Sequence, residues 1–270
     1  MTFALGPALL FCPADRPDRY GTALDRADAA ILDLEDAVAP DARPAARAAL
    51  AAARLDPSRV IVRVNESGSA DQAEDLAAVR AAGFRTVMVP KADARLDLGP
   101  FAGLDVIALC ETAAGVLDAR ALAERPGVVA LMWGAEDLVA SLGGTASRDA
   151  GGAYRDVARQ ARSQVLLAAA AAGIAAIDTV HLDIADLDGL VAEAEDAAAV
   201  GFAATACIHP SHVPVIRRAY APTAAQLADA RRIVDAAREH GGVFRLDGRM
   251  VDGPVIRHAE ALLRRTPLVE

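Results

Sequence analysis

The chain has 270 residues, 54% of them hydrophobic, and carries 37 acidic against 28 basic side chains for a net charge of −9. That length and apolar content suit one large core, while the acidic balance argues against nucleic acid or an anionic membrane as the main partner. No segment reaches transmembrane length without charge, and no basic region leads into a long apolar stretch at the N-terminus, so a cytoplasmic protein is expected.

Short apolar runs, often β-branched and bounded by Gly, Pro or charge, recur at residues 8–12, 29–34, 60–64, 86–89, 106–109, 128–132, 175–177 and 204–208. Buried parallel strands have this form. Helical patterns separate them at 18–26, 44–54, 70–82, 113–124, 154–172, 187–200 and 213–218. Eight such units predict an α/β chain whose residues 1–222 form a single (β/α)8 TIM barrel, in preference to an open doubly wound sheet. Beyond it, 223–240 reads as an amphipathic helix with Thr223 as N-cap, 241–254 as a Gly-punctuated hairpin and 255–265 as a last helix. This extension, 223–270, exceeds what a barrel needs. It is either a cap or an arm that covers a neighbouring subunit's active site.

The only lysine, asparagine and tryptophan each close one of the apolar runs: Asn65 the third, Lys91 the fourth and Trp133 the sixth. All basic side chains but Lys91 are Arg. In that background a lone ammonium marks a place where a compact point donor is wanted and a planar guanidinium is not. Carboxylates close other runs: Asp33, Glu35 and Asp36 after the second, Glu111 after the fifth, Glu136 and Asp137 after the sixth. Rare and charged residues at strand ends predict an active site at the rim of the barrel.

Adjacent barrel strands lie about 5 Å apart, so Glu111 and Asp137 at neighbouring strand ends can share one cation. Two carboxylates plus waters suit Mg²⁺, whereas Zn²⁺ would want His or Cys that these ends lack. Taken singly, either acid is also readable as a helix N-terminal residue favoured by the macrodipole. Alternation points Asp33 and Glu35 to one side and Asp36 into the loop. These acids either bond the waters of a metal or pair with nearby Arg.

Arg63, flanked by apolar residues, needs an anion: one of these acids or a substrate carboxylate. Arg16 is a second candidate for that work. Gly134-Ala-Glu places backbone N–H groups at a helix start, a cradle for a carboxylate. His209 and His212, with Pro210 between them, read as structural or rim residues. Cys12, Cys110 and Cys207 sit in apolar runs without CxxC spacing and read as buried thiols in a reducing compartment. No GxSxG, P-loop or GxGxxG occurs in a usable context, which leaves serine hydrolase and nucleotide-binding readings without support.

Eight stretches together resemble the citrate lyase beta subunit-like branch of the HpcH/HpaI aldolase family. They are Leu10-Phe-Cys-Pro-Ala-Asp-Arg-Pro, Ile31-Leu-Asp-Leu-Glu-Asp-Ala-Val, Arg63-Val-Asn, Pro90-Lys, Glu111-Thr-Ala, Gly134-Ala-Glu-Asp-Leu, Ile208-His-Pro-Ser and Gly248-Arg-Met-Val-Asp-Gly-Pro. They keep the family's order over nearly the whole length. The resemblance implies a Mg²⁺-dependent TIM barrel that cleaves a 3-hydroxyacyl-CoA of the malyl, citramalyl, citryl or hydroxymethylglutaryl type to acetyl-CoA and an oxo acid. It implies Glu111 and Asp137 as metal ligands, with Glu35 and Asp36 near the metal's waters. Arg63 would polarise the hydroxyl or keto oxygen, and Gly134, Ala135 and Glu136 would hold the oxo-acid carboxylate. Asp252 would act as acid and base from an adjacent subunit, which implies a homotrimer or a dimer of trimers. Lys91 would donate to the substrate or to a metal-site carboxylate.

Three alternatives stand beside this expectation. Lys91 can form a Schiff base with a carbonyl substrate. The same site, with water admitted, can act as a malyl-CoA-type thioesterase. The chain can also be a non-autonomous citrate lyase subunit working on an acyl-carrier-protein thioester.

Overall fold

The computed structural model describes residues 5–265. Eight parallel strands run in sequence order: β1 (Ala8–Pro13), β2 (Ala29–Asp33), β3 (Val60–Arg63), β4 (Thr86–Val89), β5 (Asp105–Cys110), β6 (Val128–Trp133), β7 (Ala175–Asp178) and β8 (Ala204–Cys207). Each pairs with the next, and β1 pairs with β8 through Ala8↔Thr205, Leu9↔Ala206 and Leu10↔Cys207. The sheet is therefore a closed eight-stranded barrel, with no free edge. All eight strands lie where the apolar runs placed them.

Around these strands run α1 (Tyr20–Arg26), α2 (Arg43–Ala52), α3 (Gln72–Ala82), α4 (Ala113–Leu117), α5 (Ala119–Ala123), α6 (Ala135–Ser141), α7 (Asp156–Ala172), α8 (Leu187–Val200) and α9 (Val213–Tyr220). The helix expected over 113–124 is two short ones. Asp118, at φ −88° and ψ 0°, sits between them in the sparsely allowed bridge region, where helices turn. Its carboxylate is engaged outside the helix, accepting from the Ala94 N–H at 3.0 Å.

The chain divides into two compact units, Met1–Ile216 and Arg217–Glu270. The second contains α10 (Ala224–His240), the antiparallel hairpin β9 (Phe244–Leu246) and β10 (Arg249–Val251), and α11 (Gly253–Arg264). Thr223 caps α10 as read: its hydroxyl accepts from the Gln226 N–H while the Gln226 side chain accepts from the Thr223 N–H, a reciprocal capping box. The hairpin turns through Asp247 and Gly248, both at positive φ, the Asp-Gly pair that two-residue hairpin turns favour. Among the described residues, no helix is long and apolar enough to cross a membrane.

Strand residues alternate between the barrel interior and the helix layer. Leu9, Ile31, Ile61, Met88, Leu109, Met132, Ile177 and Ala206 belong to the interior cluster. Alternation fixes what comes next at the carboxyl end of each strand, and so fixes the composition of the mouth.

Candidate active site

One step beyond the interior cluster, the inward positions change from aliphatic to functional. Leu9 is followed by Phe11, Ile31 by Asp33, Ile61 by Arg63 and Leu109 by Glu111. On the far side, Met132 gives way to Gly134, Ile177 to Thr179 and Ala206 to Ile208. All seven line a single cavity of about 410 Å³, together with Asp36, Ala135, Glu136 and Asp137. That volume suits a small acid and the end of a thioester rather than a whole nucleotide-bearing carrier.

Arg63 is buried, and its partner is the residue beside it in register on β2, Asp33. Its Nε and Nη2 donate to Asp33 Oδ1 and Oδ2, both at 2.7 Å, the bidentate geometry that makes such pairs strong. The same carboxylate accepts from the Glu35 N–H at 3.0 Å and the Ala37 N–H at 3.1 Å, so it also shapes the turn that carries Glu35 and Asp36. Arg63 Nη1 lies 3.1 Å from Glu35 Oε2 and 3.8 Å from Asp36 Oδ2, and the guanidinium sits 5.1 Å over the Phe11 ring. Burial opposes its charge, yet Asp33 and the neighbouring Glu35 and Glu111 hold the guanidinium above its ordinary pKa. Arg63 is a permanent cation at the mouth.

Glu111 is the least comfortable acid of the group. Burial raises its carboxyl, and the charges of Asp137 and Glu35 raise it further; the Lys91 N–H and Arg63 only partly offset this, leaving it pushed up to about 8. Glu35 is likewise raised by burial despite Arg63 and Lys91. Gly134 packs against Glu111 so closely that a Cβ there would lie 2.9 Å from Glu111 Cβ and 3.0 Å from Oε2. Only glycine leaves the carboxylate room. A carboxylate cluster short of positive charge is what a divalent cation relieves.

The donor set also selects the cation. The acids on the cavity wall offer oxygen alone. The three thiols are buried and free, with Cys110 and Cys207 pushed up to about 12 and Cys12 to about 11 by burial. No group of three or more His, Cys, Asp or Glu side chains is arranged to hold a metal among the described residues. Two carboxylates completed by water fit a small, hard cation that keeps part of its hydration.

Lys91 approaches the same acids from the side. Its backbone is left-handed, at φ +50°, its N–H donates to Glu111 Oε1 at 3.0 Å and its ammonium donates to Glu35 Oε1 at 2.5 Å. Burial works against the ammonium, but the bond to Glu35 and the charges of Glu35 and Glu111 outweigh it and raise its pKa.

A model of the HpcH/HpaI aldolase/citrate lyase family matches residues 8–210, from the first strand to the turn after the last. The chain belongs to that family. The citrate lyase subunit beta-like protein of Mycobacterium tuberculosis (strain H37Rv) is 55% identical over 262 residues, 97% of this chain and 96% of the relative. A crystal structure of the protein CitE from the same organism, in complex with magnesium, acetoacetate and coenzyme A, matches with a TM-score of 0.92 at 55% identity, covering 97% of this chain and 98% of that one. Mouse mitochondrial citramalyl-CoA lyase is 30% identical over 271 residues, 88% of this chain and 79% of its own.

Within this HpcH/HpaI barrel, Arg63, Glu111, Asp137, Asp36, Gly134, Ala135 and Glu136 line one cavity, while Glu35 and Lys91 bond to its residues, Glu35 beside Arg63 and Lys91 through its N–H to Glu111. Arg16 does not line the cavity; it is half-exposed on the β1–α1 loop and turned to Asp18, Nη2 to Oδ2 at 2.8 Å. Glu136 is exposed, with its carboxylate accepting from the Ser147 hydroxyl, so what it offers the cavity is its place at the start of α6. Asp252 lies in the second unit as the N-cap of α11, accepting from the Val255 N–H at 3.4 Å. His209 is exposed and caps the turn after β8 through Ser211.

Of the three residue types that occur once, only Lys91 meets the acids. Trp133 takes the outward position on β6, wholly buried under the helices, where its Nε1 donates to Asp178 and Tyr154 packs edge-on at 5.3 Å. Asn65 turns toward α3. The sequence left Arg63 a choice between one of the acids Asp33, Glu35 and Asp36 and a substrate carboxylate, and the fold pairs it with Asp33; the stacking of Phe11 beneath it was not singled out. Strand register carries that information, and single apolar runs do not.

Proposed function

We propose that this chain is a Mg²⁺-dependent carbon–carbon lyase that cleaves a 3-hydroxyacyl-CoA to acetyl-CoA and an oxo acid. The observation that carries the proposal is a buried carboxylate, Glu111 at about 8, set with Asp137 against a permanent guanidinium in one cavity. Glu111 and Asp137 would hold the cation, with Glu35 and Asp36 bonding its waters. Bound there, Mg²⁺ supplies Lewis-acid stabilisation of developing negative charge on oxygen. The magnesium, acetoacetate and coenzyme A bound by the 55%-identical CitE support the same reading.

The chain's own residues then divide the work. The amides at the start of α6, from Gly134 to Glu136, hold the carboxylate of the oxo-acid half. Arg63 donates to the substrate's 3-oxygen, which gains negative charge as its proton leaves. The bond between C2 and C3 breaks, its electron pair passes to the thioester half as an enolate, and C3 becomes the carbonyl carbon of the oxo acid. Asp252 takes the hydroxyl proton and returns one to the enolate carbon, which yields acetyl-CoA. Asp252 acts here from a neighbouring copy in a homotrimer, with residues 223–270 covering that neighbour's mouth. Lys91 holds Glu35 and Glu111 in place. Its raised pKa keeps it protonated, which opposes a Schiff base, since only the free amine attacks a carbonyl.

Acetyl-CoA release from malyl-, citramalyl-, citryl- and 3-hydroxy-3-methylglutaryl-CoA, with Mg²⁺ and with EDTA, tests the proposal. EDTA-sensitive cleavage of one of them is expected. Free CoA without acetyl-CoA would replace the lyase with a thioesterase, and no cleavage of any would overturn a free-standing CoA lyase in favour of a carrier-protein substrate.

A further inference from the structure

Asn65 is buried, lies two residues beyond Arg63, and takes no part in the chemistry above. Its Nδ2 donates to two acceptors on different elements: the Leu34 carbonyl at 3.1 Å and Asp75 Oδ2 at 2.8 Å. Its backbone N–H donates to the same Asp75 oxygen at 2.8 Å. Asp75, on α3, is fully buried, and its other oxygen accepts from Arg47 Nε of α2 at 2.7 Å. Leu34 stands between Asp33 and Glu35, and its N–H donates to the Arg63 carbonyl at 2.9 Å.

We propose that Asn65, held by Asp75, is a positioning residue for Arg63. The carboxamide ties the end of β2 to the end of β3, bonding Leu34, one residue past Asp33, to Asn65, two past Arg63, just beyond the point where Asp33 and Arg63 pair in register. It then anchors both ends to the helix layer. A carboxamide meets this demand because it offers two N–H bonds in one rigid plane, where serine offers one donor and aspartate none. Asp75 uses both oxygens and has its charge met by Arg47, so the relay is complete and stiff. Stiffness matters because a displacement of about 1 Å at a reacting group costs on the order of a hundredfold in rate. The inference rests on the reading of Arg63 as the group that acts on the substrate oxygen.

The test uses the full-length protein and the variants Asn65→Ala, Arg63→Lys and their combination, with Asn65→Ser in place of Asn65→Ala should the latter not fold. At a temperature where each is folded, Asn65→Ala is expected to lower kcat at least tenfold while KM for the thioester stays within twofold. In the Arg63→Lys background the same change is expected to cost less than twofold, because a residue that acts through Arg63 has nothing left to position. Unchanged kcat in Asn65→Ala, or a full tenfold loss on top of Arg63→Lys, overturns the inference. If the wild-type chain cleaves none of the thioesters, the lyase reading fails by itself. Crystal structures of wild type and Asn65→Ala then decide: a displaced Arg63–Asp33 pair upholds the positioning role and an unmoved pair overturns it.

Discussion

Lys91 reaches Glu111 with its backbone N–H, at 3.0 Å, from a left-handed conformation at φ +50°. Glycine adopts that conformation freely and alanine does not. Lys91→Ala is therefore expected to be less stable than Lys91→Gly by about 1 kcal/mol in urea unfolding. Both should lose thioester cleavage, since neither returns the ammonium that meets Glu35. Equal unfolding midpoints would show that the backbone at this position is unconstrained.

Asp33→Asn leaves Arg63 buried with half its ion pair gone. Removing one partner of a buried pair costs about 3–5 kcal/mol, and the low end is expected because Glu35 Oε2 remains 3.1 Å from Nη1. Denaturant unfolding of the single variant measures it. A loss under 1 kcal/mol would mean that Glu35 alone suffices as the counter-ion.

Mg²⁺ should raise the melting temperature of the wild-type chain, because a ligand that binds only the folded state at about 100 times its Kd stabilises by about 2.7 kcal/mol. Glu111→Gln should unfold at a similar or higher temperature than wild type without the cation, since it removes a crowded buried charge. It should show no shift when Mg²⁺ is added. A full shift in Glu111→Gln would remove this residue from the metal site.

His181 and Glu193 form the clearest pH-dependent pair away from the mouth, Nδ1 to Oε2 at 3.0 Å, with Arg148 on the same carboxylate. The bond to Glu193 raises the imidazole pKa against the effect of burial. Burial pushes Glu193 up, but His181 and Arg148 outweigh it and bring it below its ordinary value. The histidine's contribution is complete below its ordinary 6.5 and fades as pH rises through its raised folded value. The glutamate's is complete above its ordinary 4.5 and fades as pH falls through its lowered one. His181→Gln should therefore cost most stability between roughly pH 4.5 and 6.5 and less at pH 9. A penalty that does not change with pH would mean that packing, not charge, carries the pair.

Mixing inactive subunits examines the role of residues 223–270. If Asp252 serves a neighbouring chain, Asp252→Ala and Arg63→Ala proteins, unfolded and refolded together, should recover activity through sites that combine one intact residue from each. Separately refolded controls should remain inactive. No recovery, with a mixed oligomer demonstrated by mass, would place Asp252 in its own chain's site or outside the chemistry.

The eight strands were legible because each is a short apolar run, and barrel closure followed from their number. That Glu111 and Asp137 line the mouth was legible because both follow apolar runs whose carboxyl ends form the barrel's rim. What could not be read depends on relations between strands. That Arg63 faces Asp33 follows from register, and that Trp133 turns away from the mouth depends on which parity of β6 points inward. The break of the 113–124 helix turns on a single residue, Asp118, whose carboxylate bonds outside its own helix. The relay through Asn65 was illegible for a similar reason, since Asp75 and Arg47 lie on helices whose docking only the folded chain reveals.

The register of β2 against β3 also bears on how this site changes over generations. Arg63 and Asp33 are thirty positions apart in the chain but side by side in the barrel, each neutralising the other at the wall of the cavity. A lineage that exchanges one of them alone passes through a protein with a stranded interior charge, which selection removes before any new activity is tried. The two positions should therefore be inherited as a couple, kept together or replaced together. Diversity in substrate should accumulate instead at neighbours such as Val180, Leu182 and Ile208, which line the same cavity and leave no charge behind when they change.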